Sequence, residues 1–127
     1  MEKRAALLSQ LQRAAARLGE ALALPVDDIV RDSAIQRFEF TYELAWKLMQ
    51  AELKSRGVRC DSPFDCIKNS AKVKLVDEDD AWVELVELRN LTSHVYSERM
   101  AKDIYEQLPR AQTLFDALIE RATRAQH

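Results

Sequence analysis

The chain has 127 residues, of which 47% are apolar and 31% are charged, so it is long enough for one domain and intrinsic disorder is excluded. Two glycines and three prolines are too few for the frequent turns of an all-β fold. A formal net charge of −2 excludes a general attraction to nucleic acid or to an anionic membrane, so any phosphate contact must be local.

The first two predicted helices occupy the N-terminal half of the chain. Leucines and alanines recur at helical spacing over residues 2–23, which predicts a helix with one buried stripe. Pro25 ends that helix, and Asp27 or Asp28 can cap the next one. We expect this second helix to run to Gly57, because glycine is typical of left-handed helix ends.

The second helix is apolar on two of its sides. One stripe consists of Ile35, Phe38, Tyr42, Ala45, Met49 and Leu53. The other consists of Phe40, Leu44, Leu48 and Ala51. A helix that is apolar on two sides must be covered on two sides, and the core of so small a chain can cover one of them. We therefore expect a second subunit, in a homodimer or a tight heterocomplex, to cover the other.

Local signals also mark a third and a fourth helix. Ser62 followed by Pro63 gives an N-cap and a first-turn proline, which predicts that a short helix begins there. The acidic run over residues 77–80 precedes a stretch rich in leucine, valine and tryptophan, as expected where carboxylates stabilise a helix N-terminus. This fourth helix is expected to end near Leu91 or Thr92.

Ser97 can cap a last helix, which Pro109 is expected to kink. The inner face of this helix is predicted to consist of Ile104, Leu108, Ala111, Phe115, Leu118 and Ala122. The fold class is therefore all-α. Residues 1–127 are expected to form a single domain, an antiparallel bundle of four or five helices.

The two cysteines, Cys60 and Cys66, fall in a segment that resembles a loop and have no histidine nearby. Spacing rules favour neither a zinc site nor a structural disulfide for them. The sequence also shows no signal peptide and no apolar segment long enough to span a membrane. These features favour a reducing cytoplasm.

His94 is the only histidine expected to take part in acid–base chemistry, because His127 is the last residue, where disorder is the default. On one continuous helix Arg89 and His94 would point about 140° apart and could not share a ligand. They converge only if the helix ends between them. Thr92 and Ser93 compete for backbone hydrogen bonds, which favours such an end.

An arginine and a histidine facing one pocket suit phosphodiester chemistry. Neutral imidazole can take a proton from a ribose 2′-hydroxyl or return one to the leaving oxygen, and arginine stabilises the negative charge that develops. One histidine cannot serve as base and acid at once, but a dimer that apposes two copies of His94 supplies both. Asn90 is a cap residue or a ligand. Tyr96 is a half-buried phenol, a face for base stacking or a hydroxyl nucleophile.

A purely structural interpretation stays open at this point. Arg89 can pair with a carboxylate such as Glu84 or Glu87, and His94 can satisfy a helix end. The chain is not expected to be a nucleotidyltransferase itself, because its only Asp-x-Asp spacing, over residues 77–79, opens a helix and no Gly-Ser dipeptide precedes it. No residues point to a metal or another cofactor.

Three segments together resemble a known family. They are residues 35–47 (IQRFEFTYELAWK), 61–63 (DSP) and 89–98 (RNLTSHVYSE). In this order they are similar to the nucleotidyltransferase substrate-binding protein family, which belongs to the HEPN superfamily. The resemblance implies a dimeric helical bundle that works with a minimal nucleotidyltransferase encoded by a neighbouring gene, and that binds a nucleotide or RNA substrate.

The superfamily resemblance implies a second activity. Arg-x4-6-His is the ribonuclease signature of HEPN proteins, and Arg89 and His94 match it. In the related HepT toxins, Arg-x4-His-x-Tyr includes the tyrosine that the partner adenylylates to silence the nuclease, and Tyr96 matches that position. Two hypotheses follow: a binding subunit that uses Arg89, Asn90, His94 and Tyr96, or a metal-independent ribonuclease toxin of a toxin–antitoxin pair with Arg89 and His94 as catalytic residues.

Overall fold

The computed structural model describes residues 2–77 and 79–125, which form five α-helices and no strand. The helices are α1 (Glu2–Ala23), α2 (Asp28–Ser55), α3 (Pro63–Lys72), α4 (Asp79–Thr92) and α5 (Glu98–Arg124). The predicted all-α bundle is confirmed. Glu78 and His127 lie outside the described residues. No helix in the described part of the chain is both long enough and apolar enough to cross a membrane.

The helix starts have the capping chemistry that the sequence predicts. Asp27, and not Asp28, caps α2, since its carboxylate accepts a hydrogen bond from the amide of Val30 at 2.7 Å. Ser62 and Ser97 cap α3 and α5, and each hydroxyl accepts from the amide of the third helical residue at 3.2 Å. These bonds satisfy amides that have no partner inside the helix.

Two helix features refine the sequence prediction. α2 ends at Ser55, slightly before the predicted Gly57, and Gly57 then adopts the left-handed conformation with φ of 80°. A residue with a Cβ would be strained at that angle. α5 continues through Pro109 as a single helix.

The central position of α2 explains why two of its sides are apolar. α2 contacts each of the four other helices, and the first predicted stripe is buried throughout. The second stripe is divided: Leu48 is fully buried, Leu44 and Ala51 are partly buried, and Phe40 is 48% exposed. The expectation that another subunit must cover this whole side is therefore wrong for Leu48, because helices of the same chain cover it. Phe40 is the member of the stripe that remains most open.

An aromatic cluster fixes α4 against its neighbours. Phe38 of α2 and Phe115 of α5 have ring centroids 6.1 Å apart, and Trp82 of α4 meets Phe115 edge-on at 5.8 Å. Such pairs add to the free energy gained from burial. Arg89 follows Trp82 by seven residues, or about two helical turns, so it lies on nearly the same side of α4. The cluster therefore directs Arg89 towards the body of the bundle.

Cys60 and Cys66 form a disulfide, so the prediction of unpaired cysteines is wrong. The turn at Ser62 and Pro63 folds the chain back onto the first turn of α3 and brings the two Cα atoms to 5.1 Å, within the range of a disulfide. Both cysteines are buried. The paired cysteines therefore no longer favour a reducing compartment.

Candidate functional site

The end of α4 determines the geometry of the candidate site. α4 ends at Thr92, between Arg89 and His94, as predicted. The Thr92 hydroxyl lies 2.6 Å from the carbonyl of Arg89, and the amide of His94 donates to the carbonyl of Leu91 at 2.9 Å. These bonds close the last turn, so the chain after Thr92 leaves the helix axis.

Arg89 is held by side chains from α2 and from its own helix end. Its Nη1 atom donates to Oε2 of Glu39 at 3.2 Å and to the Thr92 hydroxyl at 3.0 Å. A longer contact of 3.4 Å reaches the hydroxyl of Ser93. Nε lies 3.7 Å from Oε1 of Glu43. The Arg89 side chain is 27% exposed, so part of it still meets solvent.

The carboxylates beside Arg89 are not the ones that the sequence suggested. Glu84 pairs with an arginine of α5, and Glu87 is exposed. Glu87 stands two positions before Arg89, on another side of α4, so the two cannot meet. Glu39 and Glu43 are four residues apart on α2 and therefore share one face. Their spacing was visible in the sequence, but only the packing of α2 on α4 shows which helix that face meets.

Tyr42 lies next to these carboxylates but belongs to the core. It is buried, and its ring centroid is 6.2 Å from that of Phe38. Burial raises the pKa of Tyr42 to about 12; the Glu43 carboxylate also raises it, and the Arg89 charge opposes them. Tyr42 is therefore a neutral phenol near pH 7. Its burial is what its place in the first apolar stripe predicts.

His94 and Tyr96 form a separate pair on the surface. Nδ1 of His94 lies 3.2 Å from the hydroxyl of Tyr96, and their ring centroids are 6.2 Å apart. Tyr96 is 81% exposed, so the alternative of a half-buried phenol is wrong. His94 and Asn90 are exposed as well. The segment after α4 thus presents an imidazole and a phenol together to solvent.

Two grooves in the described part of the chain lie away from these residues. A groove of about 430 Å³ lies between α1 and α5, beside Gly19 and Gln112, and a smaller one of about 120 Å³ lies beside Trp82 and Arg121. Neither groove includes Arg89, His94 or Tyr96. Among the described residues no hydrogen bond joins Arg89 to His94. Their convergence on one ligand therefore stays a prediction.

A five-helix bundle with an Arg-x4-His-x-Tyr segment at the end of its fourth helix defines the class of this protein. Residues 6–124 match the family described as nucleotidyltransferase substrate binding protein like. Because this match spans most of the chain, the chain belongs to that family.

A curated relative supports the same assignment. The probable ribonuclease HepT of Haemophilus influenzae is 32% identical over 88 residues, which are 65% of this chain and 60% of that relative. The chain thus matches somewhat less than two thirds of the length of that relative.

Solved structures share the fold. A protein of Thermus thermophilus known from its crystal structure superposes with a TM-score of 0.83 at 34% identity, over 88% of this chain and 98% of that one. A second, from Haemophilus influenzae, is described as having the fold of a substrate binding domain of a nucleotidyltransferase. It superposes with a TM-score of 0.72 at 24% identity, over 96% of this chain and 98% of that one, and at this identity the likeness shows the fold alone.

Proposed function

We propose that this chain is the substrate-binding subunit of a two-component minimal nucleotidyltransferase system. It engages a nucleotidyltransferase encoded by a neighbouring gene and presents a nucleotide or RNA substrate, or its own Tyr96, at the surface formed by Arg89, Asn90, His94 and Tyr96. Family membership supports this role. A homodimer would bring two such surfaces into one assembly.

The observation that carries the proposal is the exposed pair of His94 and Tyr96. A phenol that keeps its proton is a weak nucleophile, so a nucleotidyl acceptor needs a base within hydrogen-bond distance. Nδ1 of His94 stands 3.2 Å from the Tyr96 hydroxyl, and it can take the proton in the tautomer that protonates Nε2. The phenolic oxygen then bonds to the α-phosphorus of ATP while pyrophosphate leaves. The 81% exposure of Tyr96 gives a partner enzyme access to it.

Co-purification followed by intact mass measurement tests this role. The chain is co-expressed with the neighbouring nucleotidyltransferase, isolated by sizing chromatography and incubated with ATP. We expect a stable complex and the gain of one or more adenylyl groups on the chain. Tyr96→Phe should remove the mass gain, whereas Tyr105→Phe, on the partly buried side of α5, should keep it. Absence of a complex, or an unchanged mass gain in Tyr96→Phe, contradicts the proposal.

The relative named probable ribonuclease HepT favours a second candidate function. In this function the chain is a metal-independent ribonuclease toxin, with His94 as general base and Arg89 stabilising the phosphorane. Adenylylation of Tyr96 would place bulk and negative charge beside His94 and so silence cleavage.

Cleavage of single-stranded RNA in EDTA separates the two functions. The ribonuclease function predicts activity that falls by about 10²–10⁴ in His94→Ala. His127→Ala, which changes the other histidine, should cleave at the original rate. The substrate-binding function predicts no cleavage by either protein. Equal cleavage by the original chain and by His94→Ala would assign the activity to a contaminant.

A further inference from the structure

The guanidinium of Arg89 is anchored through one of its three nitrogens. Nη1 makes all of the hydrogen bonds of this side chain among the described residues, to Glu39, Thr92 and Ser93. Nε is buried and has no hydrogen-bond partner in the same part of the chain. The N–H groups of Nε and Nη2 therefore make no hydrogen bond in this part of the chain. The edge that they form matches the spacing of two oxygens in a carboxylate or a phosphate.

Glu43 stands beside this edge without bonding to it. Its Oε1 atom is 3.7 Å from Nε of Arg89, which is too long for a hydrogen bond, although the charges still attract. Its other oxygen, Oε2, accepts from the indole nitrogen of Trp46 at 3.1 Å. The Glu43 side chain is 43% exposed. Glu43 is thus an anion near the Nε and Nη2 edge of Arg89. One of its oxygens is hydrogen-bonded to Trp46, and its side chain is accessible to solvent.

Glu39 differs from Glu43 in each of these respects. It hydrogen-bonds to both Arg89 and Thr92 through one oxygen, and its side chain is less exposed than that of Glu43. Glu39 therefore fixes where the guanidinium lies. Glu43 contributes charge at the free edge but no hydrogen bond.

We propose that Glu43 is an internal competitor for the anion-binding edge of Arg89. A phosphate group of the ligand displaces the Glu43 carboxylate and takes both Nε and Nη2, while Glu39 keeps the guanidinium in place through Nη1. This competition rests on the proposed function in one respect, which is that the phosphate belongs to a nucleotide or RNA. Displacing the Glu43 carboxylate breaks no hydrogen bond to Arg89. Because the indole of Trp46 holds this carboxylate nearby, it returns to the edge of Arg89 when the phosphate leaves. Because Glu43 weakens the binding of a phosphate alone, the site favours ligands that make further contacts to the chain.

The test is a titration of the full chain with inorganic phosphate, followed through the 15N–1H signal of Arg89 Nε. Chloride keeps the ionic strength constant, because salt weakens exposed charge pairs. We expect Glu43→Gln to bind phosphate about two- to fivefold more tightly, the size of one partly exposed ion pair. The amide keeps an oxygen that can accept from Trp46. Glu43→Ala, which leaves no such oxygen, should change affinity in the same direction.

Glu87→Gln is the matched control, since it removes the same charge from the exposed side of α4, two residues before Arg89. Its phosphate affinity should equal that of the original chain. The proposal is overturned if both Glu43 variants bind no more tightly than Glu87→Gln, or if phosphate leaves the Arg89 signal unmoved in every variant. If phosphate binds as expected but no nucleotidyltransferase complex and no RNA cleavage are found, the proposed function fails and the competition by Glu43 stands.

Discussion

The hydroxyl of Thr92 lies 2.8 Å from Oε2 of Glu39, which ties the last residue of α4 to α2. The same carboxylate oxygen accepts from Nη1 of Arg89 at 3.2 Å. One side chain of α2 thus holds both the helix end and the guanidinium that precedes it. Since His94 leaves the helix just after this point, Glu39 couples the packing of the bundle to the geometry of the candidate site.

Thr92→Val tests this coupling. Valine keeps the shape of the side chain but removes the hydroxyl, so Glu39 and Arg89 each lose a hydrogen bond. We expect the free energy of unfolding in urea to fall by about 1–2 kcal/mol. Thr123→Val is the control, because the Thr123 hydroxyl is exposed and, among the described residues, bonds to a carbonyl of its own helix at 2.7 Å and to no other group. Thr123→Val should lower the free energy of unfolding by less than about 0.5 kcal/mol. Equal losses in the two variants would show that Thr92 does no more than an exposed threonine.

Phe40 is the residue of α2 with which we test the predicted dimer. It is 48% exposed, whereas Leu44 is partly buried against the core. We expect Phe40→Asp to convert a dimer into a folded monomer in sedimentation velocity, and Leu44→Asp to lower the free energy of unfolding instead. Ile29→Asp, at an exposed position three turns earlier on α2, should leave the dimer intact. A monomeric original chain, or a Phe40→Asp dimer, would contradict the prediction.

Local chemistry made much of this fold predictable. The caps at Asp27, Ser62 and Ser97 each depend on residues within one helical turn, so the sequence contains the whole cause. The burial of Leu48 was missed for the opposite reason, because it depends on helices that are distant in sequence.

The candidate site shows the same division. His94 and Tyr96 are two residues apart, and their contact follows from the short segment that contains them. The pairing of Arg89 with Glu39 spans 50 positions and requires knowledge of which face of α2 meets α4. Motif spacing identified the residues of chemical interest, but it could not identify what holds Arg89 in place.

The disulfide between Cys60 and Cys66 predicts a response to reduction. Closing so short a loop removes entropy from the unfolded chain, and by the loop-length relation this stabilises the fold by about 2 kcal/mol. We expect dithiothreitol to lower the free energy of unfolding by that amount. A variant with both Cys60→Ala and Cys66→Ala should show no change when dithiothreitol is added. If the original chain is equally stable with and without it, the bond does not contribute in solution.

Burial of Tyr42 predicts a loss of stability at alkaline pH. Its folded pKa is about 12, against 10.0 for an unperturbed tyrosine, so between these values the unfolded chain has released a proton that the folded chain retains. The stabilisation that Tyr42 gives the folded chain is therefore fully present below pH 10. It is lost as pH rises through 12, and the loss is up to about 3 kcal/mol of the free energy of unfolding.

Tyr42→Phe has no proton to lose, so its free energy of unfolding should fall less between pH 9 and pH 11.5. Tyr105→Phe, on the partly buried side of α5, is the control and should follow the original chain. Equal slopes for Tyr42→Phe and the original chain would show that Tyr42 ionises in the folded protein as readily as in the unfolded one.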